Sequence, residues 1–258
     1  MSQEQLDGLN AALFEAVDSN YGGTVVQLLA KGAQVNAQDR AAMTPLMHAA
    51  LRGEQQIAQL LLNKGAEVNT MDIFGVTALM QAAWAGHIHL VEMLIAHGAN
   101  ANLQSREQTP RLRSAGVSAL MGACINGNYV VVKYLLSKNV NVNQQDAEGQ
   151  SALMYAAHQG NQQVVRLLIL RGAQLEMKDE FGRTALTIAT IYNRYNIVCA
   201  LISAGANVCT QDIHQMTPIV YASALDRKAI YNILKAAMLN RCDCSQGQDA
   251  GPAPQYQE

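Results

Sequence analysis

The stretch Thr44-Pro45-Leu46-Met47-His48-Ala49-Ala50, closed by Gly53, decides how this chain is read. A threonine hydroxyl can accept a bond from the free amides at a helix start. Proline in the next position loses nothing, because its missing N–H would be unpaired there and its fixed φ suits the helix. The two alanines offer small side chains to which another helix can come close. Gly53 is the residue type that best adopts the left-handed backbone ending a helix. The stretch therefore reads as a short capped helix followed by a tight turn.

Working outward, the same pattern returns with a period of 33 residues: Thr77, Ser118, Ser151, Thr184 and Thr217 repeat the start, and Leu46, Leu79, Leu120, Leu153 and Leu186 stand two residues further on. A degenerate copy is placed at Ala11, so copies begin at 11, 44, 77, 118, 151, 184 and 217, with one insertion at about 105–115. Small residues recur five positions after each start, as Ala16, Ala49, Ala82, Ala123, Ala156, Ala189 and Ala222. Four positions beyond them come Asn20, Gly53, Gly86, Gly127, Gly160, Asn193 and Asp226, all tolerant of positive φ. A second apolar helix carries Leu28, Leu61, Leu94, Leu135, Leu168, Leu201 and Leu234 in one column. Its expected stops are Gly32, Gly65, Gly98, Asn139, Gly172 and Gly205. Between copies, segments such as Asn69–Val76 and Asn143–Gln150 hold Asp and Gly at turn positions and predict projecting hairpin-like fingers. One copy cannot bury both helix faces, so copies must stack and share a core.

The period, the Thr-Pro-Leu start, Gly86-His87 and Gly65-Ala66-Glu67-Val68-Asn69 together closely resemble the ankyrin repeat. The resemblance covers about residues 11 to 240. It implies an all-α solenoid of helix-turn-helix units with projecting fingers, one array over 1–240; separately, the segment 241–258, rich in Gln, Gly, Pro and Asp, has little apolar material to pack and is expected to be disordered. The sequence departs from the family where histidine follows Thr-Pro-Leu: Met47, Met80, Met121, Met154, Thr187 and Val220 stand there. Apolar packing by methionine is expected to take over from the histidine hydrogen bonds.

The resemblance also implies partner binding through a concave face built from finger tips and the exposed ends of the first helices. Carried over position by position, that face includes Met71, Ile73, Phe74, Val76, Trp84, Val117, Ile125, His158, Phe181 and Tyr192. Trp84, the one tryptophan in the chain, is expected at its apolar centre beside Ile73, Phe74, Val76 and Ile125, since binding energy concentrates in aromatic anchors. Packing of these residues within the chain's own fingers is the competing expectation. The insertion carries Arg106, Arg111 and Arg113, and is expected to be an exposed mobile loop. It either meets an acidic partner patch or is simply a tolerated insertion.

Composition narrows the function. Half the residues are hydrophobic and the net charge is −2, which fits a folded protein and disfavours a generic nucleic-acid binder. The six histidines form no recognisable catalytic constellation, and no phosphate loop or serine elbow is present. The five cysteines are an odd number, Cys124 and Cys199 fall within apolar helical patterns, and Cys242 with Cys244 make a poor zinc signature. Reduced thiols, no metal and no cofactor are expected. With neither a signal-like start nor a membrane-length apolar run, a soluble, cytoplasmic, monomeric protein is expected, with non-classical export to a host left open. Its function is expected to be that of a protein-binding scaffold or adaptor. The alternative is an effector or regulatory subunit that modulates a partner enzyme. Neither catalysis nor membrane insertion is expected.

Overall fold

The computed structural model describes residues 2–108 and 114–240, and divides the chain into two compact units, Met1–Asn141 and Val142–Glu258. The first unit holds four helix pairs: α1 (Gln3–Asp18) with α2 (Gly22–Ala30), α3 (Pro45–Arg52) with α4 (Gln55–Asn63), α5 (Ala78–Ala85) with α6 (Ile88–Ala96), and α7 (Ala119–Ile125) with α8 (Tyr129–Leu135). The second holds three: α9 (Ala152–Gln159) with α10 (Gln162–Leu170), α11 (Ala185–Ile191) with α12 (Tyr195–Ser203), and α13 (Pro218–Ala224) with α14 (Lys228–Asn240). Among the described residues only isolated bridges, Gln104 with Ser118 and Gln145 with Ser151, interrupt the helical character.

Helix starts follow the hydroxyl column. Thr44, Thr77, Ser118, Ser151 and Thr184 each accept the amide of the residue three further on, while Thr217 makes no such side-chain bond. The methionines do more than fill space. Buried Met47, Met121 and Met154 each present their sulfur to the amide of the capping residue, at 3.4, 3.5 and 3.4 Å, and in α11 the Thr187 hydroxyl takes the same place. The thioether thus supplies a weak acceptor to an amide the helix cannot pair.

All seven turn residues between paired helices have positive φ, from Asp226 at 52° to Gly160 at 88°. The expected stops of the second helices also hold at Gly32, Gly65, Gly98, Gly172 and Gly205. Asn139 is the exception: it is not left-handed, and α8 stops at Leu135, with the Tyr134 carbonyl taking bonds from both the amide and the hydroxyl of Ser137. That local capping closes the helix before Asn139 is reached. The first copy differs too. Its helix begins at Gln3, not at Ala11, because Ser2 and Gln5 form a reciprocal capping box and the helix continues through Gly8 without a proline to stop it.

Within each unit the first helices stack in a row, α1, α3, α5, α7 and then α9, α11, α13, and the second helices pack similarly. The shared core is made by the repeated columns: Leu46, Leu61, Leu79, Leu94, Leu120 and Leu135 are buried in the first unit, and Leu153, Leu168, Leu186 and Leu201 in the second. Asparagines stitch neighbouring copies where the second helices end. Asn69 donates to the Gly98 carbonyl and accepts the Asn100 amide, and Asn143 does the same with Gly172 and Gln174. Cys124 and Cys199 are free thiols.

Candidate functional site

All but one of the fingers are built on one aspartate. In the second finger Asp72 Oδ1 accepts the amides of Phe74 and Val76 at 2.9 and 2.8 Å. Asp39, Asp146, Asp179 and Asp212 bind the equivalent pairs of amides in their own fingers. In the third, Ser105 stands in that place and its hydroxyl accepts the Val117 amide. In the fingers of Asp39, Asp146, Asp179 and Asp212 the other carboxylate oxygen is locked by the helix that follows or by the finger itself. His48 Nε2 meets Asp39, the Tyr155 hydroxyl donates to Asp146, the Tyr221 hydroxyl donates to Asp212, and Arg183 pairs with Asp179. Burial, followed by the bond to Asp146, pushes the Tyr155 phenol above its ordinary value. Burial likewise raises Asp72 against the lowering effect of its two amide bonds.

Neighbouring tips are joined main chain to main chain. Ile73 donates to the Ala41 carbonyl and Arg106 to that of Phe74; in the second unit Glu180 donates to Glu148 and Ile213 to Phe181. Finger tips therefore form fixed rows within each unit.

In the first unit Ile73 is 54% exposed, Arg106 is exposed, and Met71, Phe74, Trp84 and Ile125 are half-buried. Trp84 rests against α7: a methyl group placed on Gly122 would stand 3.8 Å from both its Cβ and its ring Cε3. Its carbonyl is capped by the side chains of Asn126 and Asn128 at 2.8 and 2.9 Å. The indole is thus anchored by one neighbouring helix with part of its surface left open. Val76 and Val117, 4% and 1% exposed, are corrections to the expected surface. Each immediately precedes a capping residue at the foot of its finger, where the chain turns into the core.

In the second unit Phe181 and Tyr192 are 42% and 45% exposed. The ring of half-buried His158 packs edge-on against Tyr192 with centroids 4.1 Å apart, and the Arg183 guanidinium lies 4.6 Å from the Phe181 ring. Ile213, beside Phe181, is more exposed still. Arg111 and Arg113 lie outside the described residues, as do 241–258 and the centre of the insertion. At the described ends of that insertion Ser105 pairs through its backbone with Val117 and Gly116, and Ser114 is buried.

Sequence reading placed Asp and Gly in the turns but missed the locks. The signal was available: His48, Tyr155 and Tyr221 share one column of the period. It also did not single out Glu148 and Glu180 as a crowded pair. Burial first, then the charges of Asp146, Glu180 and Asp179, raises the Glu148 carboxyl above its usual range. Among the described residues no group of His, Cys, Asp and Glu is arranged to hold a metal ion, and no helix is long and apolar enough to cross a membrane.

Rows of braced fingers beside stacked helix pairs define a repeat protein of the interaction class. A family described as ankyrin repeats (3 copies) matches residues 13–105 and 120–212, and the chain belongs to that family. Its fold is similar to the crystal structure of the human ASB11 ankyrin repeat domain, with a TM-score of 0.75 and 24% sequence identity over 87% of this chain and 96% of that one. That likeness bears on the fold alone. A search of curated proteins finds no match. Ankyrin repeats are in general protein–protein interaction modules.

Proposed function

We propose that this chain is a scaffold or adaptor that holds a partner protein through its finger tips and the open ends of its first helices. The observation that carries this is the placement of Ile73, Phe74 and Trp84 in the first unit and of Phe181 and Tyr192 in the second. These aromatic and apolar side chains remain partly open on backbone that the finger hydrogen bonds brace. A braced aromatic side chain loses little conformational freedom on binding, which suits it to be an anchor. Arg106, together with Arg111 and Arg113, adds positive charge that would speed encounter with an acidic partner surface.

Replacing Trp84 and Phe74 together by alanine is expected to weaken capture of the authentic partner by about tenfold or more, the scale of an aromatic anchor, while far-ultraviolet circular dichroism is unchanged. Undiminished capture rejects this patch as the site. Loss of helical signal assigns the two side chains to the fold instead.

A further inference from the structure

We infer that the tips of the three fingers at 143–150, 176–183 and 209–216 form a docking row for a protein segment that places an apolar side chain next to a lysine or arginine. The inference rests on the interaction-module reading and narrows it to one row and one partner chemistry.

The row is continuous within its unit. Glu180 donates its amide to the Glu148 carbonyl at 2.8 Å, and Ile213 donates to the Phe181 carbonyl at 3.0 Å, so the three tips present their side chains from one stitched edge. Beneath them Asp146, Asp179 and Asp212 each fix two amides of their finger. The tips are therefore shaped before any partner arrives, and ordering them adds little to the cost of binding.

Two adjacent tips carry apolar groups, Phe181 and Ile213, both exposed. The guanidinium of Arg183 at 4.6 Å from the Phe181 ring holds that ring in place. Beside them stand Glu148 and Glu180, with Asp146 and Asp179 close enough to repel Glu148. The cations of these fingers are already committed: Arg183 to Asp179 at 2.8 Å, and Lys178 to the Gln211 carbonyl at 2.9 Å. His214 on the third tip is exposed. The field over the row is negative next to an apolar step. A lysine or arginine settling between Glu148 and Glu180 relieves like-charge crowding, while its apolar neighbour covers Phe181 and Ile213. An acidic segment or a nucleic-acid backbone would be repelled there.

The test uses the full chain as bait for a phage-displayed random peptide library. Enriched sequences are synthesised and titrated by fluorescence anisotropy at low and high salt. Peptides pairing Leu, Ile or Phe with Lys or Arg are expected. Their affinity should fall about tenfold against Phe181→Ala/Ile213→Ser and against Glu148→Lys/Glu180→Lys, with circular dichroism unchanged. A peptide whose lysine is changed to glutamate should regain binding to the charge-reversed protein. Enrichment of acidic or uncharged peptides overturns the inference. So do basic–apolar peptides indifferent to both variants; if those are instead weakened by Trp84→Ala, the interaction reading stands and only this surface falls. A library yielding no binder overturns both.

Discussion

Removing the carboxylate of Asp146 should show how much of this architecture depends on the finger brace. Asp146 accepts the Glu148 amide at 3.0 Å, the Gln150 amide at 2.8 Å and the Tyr155 hydroxyl at 2.5 Å. Bonds to a charged acceptor contribute about 1.5–3 kcal/mol each, and a buried donor left unpaired costs about 1–3 kcal/mol. The finger is only partly buried, so water can reach some of the released donors, and about 1 kcal/mol per bond is the appropriate scale. Asp146→Ala is then expected to cost about 3 kcal/mol. Asp146→Asn keeps an acceptor for both amides and can turn its own N–H toward the phenol oxygen, so it should cost only about 1 kcal/mol, as should Tyr155→Phe. Urea unfolding of the full chain followed by circular dichroism measures the totals. Hydrogen exchange at Glu148 and Gln150 localises them, and both amides should exchange faster in the alanine variant. The reasoning is refuted if Asp146→Ala unfolds at the wild-type midpoint, or if the asparagine variant is as unstable as the alanine one.

Burial holds Asp72 above its ordinary value of 3.8, so the folded chain binds that proton more tightly than the unfolded chain. The sign follows: stability contributed by this group is greatest in acid and falls as pH rises from about 3.8 through the raised value. Asp72→Asn, which keeps the acceptor for Phe74 and Val76, should flatten the urea midpoint against pH over that window; an unchanged slope would disprove the assignment. Gly149 sits at φ +74°, and a Cβ there would stand 2.9 Å from the Asp179 Cα of the next finger. Gly149→Ala should cost about 1–2 kcal/mol in backbone strain alone and lower the melting temperature by several degrees. A wild-type melting temperature would mean that the two fingers can separate without penalty.

Much of the fold was legible because its determinants are local and recur. A hydroxyl three residues before the amide it caps, or a glycine obliged to take positive φ, acts over one helical turn, so the 33-residue period exposes it by repetition. Asn20, Asn193 and Asp226 were readable as turn residues for the same reason, and all three have positive φ. Asn139 misled because the hydroxyl of Ser137 closes α8 first, a competition between neighbours that a column of equivalent positions does not reveal.

The site was less legible. Its residues come from different copies, and their exposure depends on how each finger leans over the next helix. Val76 and Ile73 are three positions apart in one apolar finger, yet the first turns into the core and the second faces out. Sequence by itself determined the repeat, its capped helices, its left-handed turns and the columns that must be buried, since these follow from spacing and side-chain type along a single helical turn. Only the tertiary structure decided that Trp84 rests on Gly122, that Tyr155 locks Asp146 from the following helix, and that Phe181 and Ile213 adjoin at the tips. The physical reason is that burial and hydrogen-bond partnership are set by segments brought together in space, about 10 to 40 residues apart along the chain, where periodicity carries no information about which side chain lies uppermost.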